Sequence, residues 1–195
     1  TVSGDHIVLN GVTTAGAQSY TATTTTLGGN LTAKSILVTG NAALAADATL
    51  DTHAANGDIT ITGTLAGASH GATLTAGSGQ VALQGAASGL TSLDITAAQI
   101  GTLGVTTTGA QSYTGAITLG QDVTFTGTDV AFNGSIGGAH ALTVNASGAT
   151  TFGGTVNVAS VVTDAAGTLA LNGSTVTTTG AQTYGEAATL GADTT

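Results

Sequence analysis

The chain has no cysteine, proline, methionine or tryptophan, no arginine, and a single lysine, Lys34. Each absence closes off a class of protein. Without cysteine there is no disulfide framework and no thiolate to serve as nucleophile or soft-metal ligand. Without proline, every residue keeps a backbone N–H to donate to a strand ladder. One basic side chain against ten acidic ones gives a formal charge of −9. Such a chain cannot neutralise phosphates, which excludes nucleic acid as a partner, and an anionic membrane surface repels it. No apolar run approaches the ~20 residues that span a bilayer, so membrane insertion is not expected. Aromatics are limited to three Tyr and three Phe, too few for the core of a β-sandwich of this length. The acids are scattered from Asp5 to Asp193 with no arginine beside them. A polysaccharide lyase or hydrolase needs clustered carboxylates and a charge-stabilising partner, so catalytic residues are not expected.

What is present is small and β-favouring. Thr, Ala and Gly supply 42, 35 and 31 of the 195 residues. Branching at Cβ suits a pleated surface, while this density of Gly and Thr opposes helix. The stretches "DITIT" (58–62), "DVTFT" (122–126), "ALTVN" (141–145) and "TVNVA" (155–159) alternate apolar and polar. That period of two predicts strands with Ile59, Ile61, Val123 and Phe125 pointing inward. Asn-Gly at 10–11, 56–57, 133–134 and 172–173, and Gly-Gly at 28–29, 137–138 and 153–154, read as corners, since both residues tolerate positive φ. Asn-Gly also marks hairpins, so an antiparallel sandwich or propeller is the alternative architecture.

An internal repeat weighs against that alternative. "VTTAGAQSYTA" (12–22), "VTTTGAQSYTG" (105–115) and "VTTTGAQTYGE" (176–186) are one phrase written three times, with Gly16, Gly109 and Gly180 at the same place in each. The first two copies stand about 90 residues apart and the last two about 70 residues apart. A second phrase recurs around His70 and His140, at nearly the shorter of these intervals. The repeat is therefore about 70 residues, and the first interval holds a surplus of about 22, assigned to the stretch near 40–62. A surplus that disturbs neither flank suggests one removable coil of a solenoid: three coils of ~23 make the short interval and four the long one, with uneven coils of ~18 as the other solution. The expected fold is all-β, a right-handed parallel β-helix of about 8–10 coils of ~18–23 residues, forming one segment over residues 1–195. The start without Met and the break at "GADTT", where "GQDVTFTG" would continue, read as a piece of a longer array. In this arrangement Gly16, Gly109 and Gly180, with Asn133 and Asn172, occupy corners. Val12, Val105 and Val176 point inward, and Tyr20, Tyr113 and Tyr184 sit at equivalent, half-buried positions with their hydroxyls in water.

The phrases "VTTTGAQTYGEAATLGADTT", "ALTVNASGATTFGGTV" and "VVTDAAGTLALNG" resemble the β-strand repeats of very large bacterial exoproteins of the filamentous haemagglutinin type. The resemblance covers most of the chain, the stretch near 40–62 excepted. It implies a right-handed parallel β-helix, export by two-partner secretion in Gram-negative bacteria, and work as an adhesin, stalk or matrix filament at the cell surface or outside it. On that basis the expected function is a non-enzymatic surface filament or matrix fibre, with the passive stalk of an adhesin as the alternative. Expected partners are other copies, end to end or side by side, and a cell-surface or matrix glycan or protein.

Motifs for chemistry are sparse. Asp122 and Asp193 follow "LG" where Asn30 stands in the first copy. They read as corner caps, and as the candidates should calcium bind. No GGxGxD run or phosphate-loop phrase is present, and no cofactor is implied. His6, His53, His70 and His140 do not have metal-ligand spacing. "TIT" at 60–62 and "TFT" at 124–126 offer paired outward hydroxyls, but too irregularly for a flat ice-binding face.

Overall fold

A computed structural model describes residues 1–173, 175–191 and 193. Its 26 strands pair in parallel throughout and wind into a β-solenoid of about 10 turns. The helical element among the described residues is one 3₁₀ turn, His53–Ala55. At ~4.8 Å per stacked strand, the rod is about 45 Å long.

Each turn lays strand on three faces, here named A, B and C in the order the chain visits them. Face A carries the inward column Ile36, Ile59, Val81, Ile100, Ile117, Ile136, Val156 and Val176. Face B carries Leu65, Ala87, Val105, Phe125, Val144, Thr163 and Tyr184. Face C carries Val12, Leu31, Leu50, Leu74, Ile95, Tyr113, Phe132, Phe152, Leu171 and Leu190. Inward and outward residues alternate along the strands, and Ile59, Ile61, Val123 and Phe125 are buried as the alternation predicts. The three columns converge on one narrow aliphatic core. Its bulk is greatest where Tyr113, Phe132 and Phe152 stack up face C, with successive ring centroids 5.4 and 5.6 Å apart. Phe125 reaches across from face B to meet Tyr113 and Phe132 edge-on.

The register fixes the turn length. Val123 pairs with Leu142 and Leu142 with Val161, the same step of about 19 residues each time. A shorter step runs from Thr24 to Asn41, and the longest from Ala48 to Ala72. Residues 40–62 lie within one long turn, since Val38 pairs with Ile61. The solution of three uniform coils of ~23 per repeat is thereby corrected, because most turns are about 19 residues long. The interval from Val105 to Val176 holds three and two-thirds of them.

That fraction has a consequence for the repeated phrase. Val12 lies on face C, Val105 on face B and Val176 on face A. The three phrases are not stacked on one another. Each copy begins one face earlier than the last, because both intervals run two-thirds of a turn beyond a whole number. Tyr20, Tyr113 and Tyr184 accordingly sit on faces A, C and B.

Candidate functional site

The phrase folds the same way wherever it falls, and its centre is a glutamine. Val105–Thr107 closes face B, Gly109 occupies the corner, and Gln111 opens face C with its side chain turned inward. Gln111 Nε2 donates to the carbonyl of Thr126 on the following turn (2.7 Å), to Thr107 Oγ1 (3.1 Å) and, at 3.4 Å, to the carbonyl of Val105. Its Oε1 accepts from the Tyr113 hydroxyl at 2.8 Å. Thr107 Oγ1 in turn donates to the carbonyl of Gly109. Gln18 repeats the arrangement with Val12, Thr14, Thr32 and Tyr20, and Thr14 Oγ1 closes onto Gly16. Gln182 repeats it with Val176, Thr178 and Tyr184, and Thr178 Oγ1 closes onto Gly180.

These braces overturn the expectation of half-buried tyrosines with hydroxyls in water. Tyr113 has no exposed surface and Tyr20 has 4 %, and both hydroxyls are spent on glutamine; Tyr184 alone is half-buried. Burial pushes the Tyr113 phenol well above its ordinary pKa, which keeps it the donor that Gln111 Oε1 needs. The glutamine brace escaped the sequence reading, although its signal was present: Gln18, Gln111 and Gln182 each follow a Val and a Thr of the phrase and stand two positions before Tyr. A step of two along a strand returns to the same face, so an inward Tyr implies an inward Gln.

The predicted corner residues all lie between faces. Gly16, Gly109 and Gly180 keep ordinary negative-φ or extended backbone, and their carbonyls, rather than positive φ, hold the corners. Asn133 and Asn172 likewise avoid the left-handed region, where Asn56 does sit at φ 53°. Asn133 donates to Thr114 Oγ1. The glycines after Asn133 and Asn172 are required by close approach: a Cβ on Gly134 would overlap the carbonyl oxygen of Gly115, and one on Gly173 that of Gly154.

Acidic and amide side chains serve the edges between faces. The Oδ1 of Asn30, Asn41, Asp47, Asn56, Asp58, Asp122 and Asp129 accepts the backbone N–H of Thr49, Thr64, Gly71, Ser78, Gln80, Ala141 and Ala149 respectively, all at 2.7–3.0 Å. Every one of these acceptors caps a donor of the following turn. Asp164 alone reaches back, to Ala146. Asp122 also faces His140, but no second carboxylate stands near it, and Asp193 is exposed past the strand Ala187–Leu190. Calcium asks for half a dozen or more oxygens and takes no imidazole. Among the described residues no three His, Asp or Glu side chains come together.

The outward columns mix residue types. Face C runs Thr49, Thr73, Asp94, Ser112, Ala131, Thr151, Ala170 and Thr189 from one turn to the next. Large exposed apolar residues are single and dispersed, among them Val8, Leu37, Leu103 and Val162. No helix of the described residues is long and apolar enough to cross a membrane. Comparisons with models of known protein families, with characterised proteins and with solved structures return no match.

Proposed function

We propose that this chain is a structural, non-enzymatic β-solenoid that forms or extends a bacterial surface filament or extracellular matrix fibre. The observation that carries the reading is the placement of the three braces at three different corners. A repeat selected to display a ligand array would return its phrase to one face, whereas this repeat, in the copies around Gln18 and Gln111, spends its most regular side chains inside the rod, on shape. Among the described residues the outer strand edges of the first and last turns pair with no further strand, and the proposal gives such edges to other copies of the chain. The secreted, cell-surface setting and the kinship with filamentous haemagglutinin-type exoproteins belong to the same proposal and rest on the resemblance of the repeated phrases. The second reading, a passive adhesin stalk, is supported by the dispersed and mixed outward columns, which leave target binding to another domain.

Electron cryo-microscopy of the parent protein, taken from its native surface or medium, tests the choice. Ordered filaments with a ~4.8 Å axial repeat and contacts between subunits are expected. Separate rods tipped by a distinct domain would replace the filament with the stalk, and globular particles would refute both.

A further inference from the structure

The formal charge of −9 is not spread evenly over the three faces. Face C turns Asp51 and Asp94 outward, and Asp164 stands where face B ends. Face A differs. Its outward column runs from Ser19 and Leu37 through Ala82 and Gly101 to Asn157 and Thr177, nine turns in all, without a charged side chain. None of these outward positions is buried. Acidic residues reach only the borders of the face, Asp58 where the chain enters it and Asp5 and Asp122 where it leaves. Lys34, the one lysine, stands at the entering border one turn before Asp58.

Face A is also hollowed. A groove of about 270 Å³ lies among Ala82, Gln84, Gly101, Leu103 and Thr118, and a Cβ on Gly101 would meet nothing within 4 Å. Two exposed large apolar side chains belong to this side of the rod: Leu103 at the groove and Leu37 three turns away in the outward column. Two such rods repel one another, and the choice of contact decides how strongly. Contact through face C or face B sets carboxylates of like charge across the join, which costs several kcal/mol. Contact through face A desolvates none of them along the column and removes leucine, alanine and threonine surface from water. Nine turns at ~4.8 Å and a face ~10 Å wide give about 900 Å² buried in total by a pair, just short of the ~1,000 Å² at which specific association begins. The contact is therefore weak for a stretch of this length and strengthens with every turn of overlap.

We propose that face A is the surface through which two copies of this chain pack side by side, face A against face A. The inference rests on the reading of the chain as a filament former and names the surface that bundles it. The same patch serves both partners, so the contact is isologous and pairs rods without propagating sideways. Faces B and C, with their carboxylates, stay turned to solvent and keep the pair soluble. Because the join is uncharged while the rods repel, added salt strengthens the association by screening that repulsion.

Sedimentation equilibrium of the folded chain tests this, at concentrations up to about 1 mM because the area is small, and in about 0.1 and 1 M NaCl, where the Debye length is ~10 and ~3 Å. The wild type should dimerise, more tightly at the higher salt. Gly101→Glu has room for its side chain, and Thr118 is already exposed, so Gly101→Glu and Thr118→Glu should keep the fold by far-UV circular dichroism. Each should weaken dimerisation about tenfold or more. Ala131→Glu adds the same charge to the outward column of face C and should stay within about twofold of the wild type at 1 M NaCl. A wild type that is monomeric throughout, or a loss in Ala131→Glu equal to that in Gly101→Glu, would overturn the assignment. So would dimerisation unchanged in both face A variants, which would move the contact to the chain ends. The filament reading is judged separately, by micrographs of the parent protein, so it can stand where face A fails.

Discussion

Replacing Gln111 with Ala probes the brace most directly. The amide it removes makes the 2.7 Å bond to the carbonyl of the next turn, the 3.1 Å bond to Thr107 and the 2.8 Å bond from Tyr113. Gln111 is 1 % exposed and Tyr113 fully buried, so water cannot substitute on either. The Tyr113 hydroxyl and the Thr126 carbonyl are left unsatisfied at about 1–3 kcal/mol each, and the deleted side chain leaves a small void. A total loss of about 3–5 kcal/mol is expected. Tyr113→Phe alone strands Gln111 Oε1 and should cost about 1–2 kcal/mol. The double variant removes both ends of that bond, so its cost should fall short of the sum by about 1–2 kcal/mol. Gln182→Ala breaks the same phrase at an exposed position and should cost less than about 1 kcal/mol. Urea unfolding followed by far-UV circular dichroism measures all four variants, with unchanged slopes required before midpoints are compared, because repeat arrays can lose cooperativity. Equal losses for Gln111→Ala and Gln182→Ala, or strict additivity of the Gln111 and Tyr113 changes, would refute the brace as an energetic unit.

Excision of residues 39–61 removes one whole turn and sets Thr62 where Thr39 stood, in line with the pairing of Val38 and Ile61. The product should remain folded and shorten by one strand spacing, ~4.8 Å, in small-angle scattering; an unfolded product would contradict the turn assignment. Gly134→Ala should lower the urea midpoint strongly, because its Cβ meets the Gly115 carbonyl, whereas Gly16→Ala meets nothing within 4 Å and should be neutral or stabilise by about 0.4–1 kcal/mol. At Asp51, partial burial works to raise the carboxyl pKa, but the hydrogen bonds and charge of His53 prevail and hold it below the ordinary value. A group with a lowered folded pKa contributes stability above its unfolded pKa and loses it as pH falls through the folded one. Asp51→Asn should therefore flatten the acid limb of a midpoint-against-pH curve and leave its shape above neutrality unchanged; an unaltered acid limb would contradict the coupling to His53.

The architecture was legible because its signals are local. Alternation in "DITIT" and "DVTFT" needs only the period of two, and burial of Ile59, Ile61, Val123 and Phe125 follows from it. Turn length was harder to read, because a repeat interval constrains only the product of turn count and turn length. The interval from Gly109 to Gly180 fits three long turns or three and two-thirds shorter ones, and only the pairing of Val105 with Phe125 selects the second. The same ambiguity hid the rotation of the phrase, since identical words suggest identical places. The tyrosines were misjudged for a different reason. A hydroxyl reads as a group that needs water, and the sequence conceals that Gln111 supplies the partner until both are known to point inward. Contacts between side chains of adjacent turns, such as Asp47 with His70, follow no spacing rule for a single strand or helix.

The passage of one phrase through all three faces also bears on how such a gene grows. A duplicated unit that is not a whole number of turns must begin its copy on a face other than the one its parent occupied. That copy folds only if the three corners are interchangeable, and the braces at Gln18, Gln111 and Gln182 show that they are. Lengthening by unequal recombination is then released from the demand that breakpoints fall a full revolution apart, and any junction that respects a corner gives a viable product.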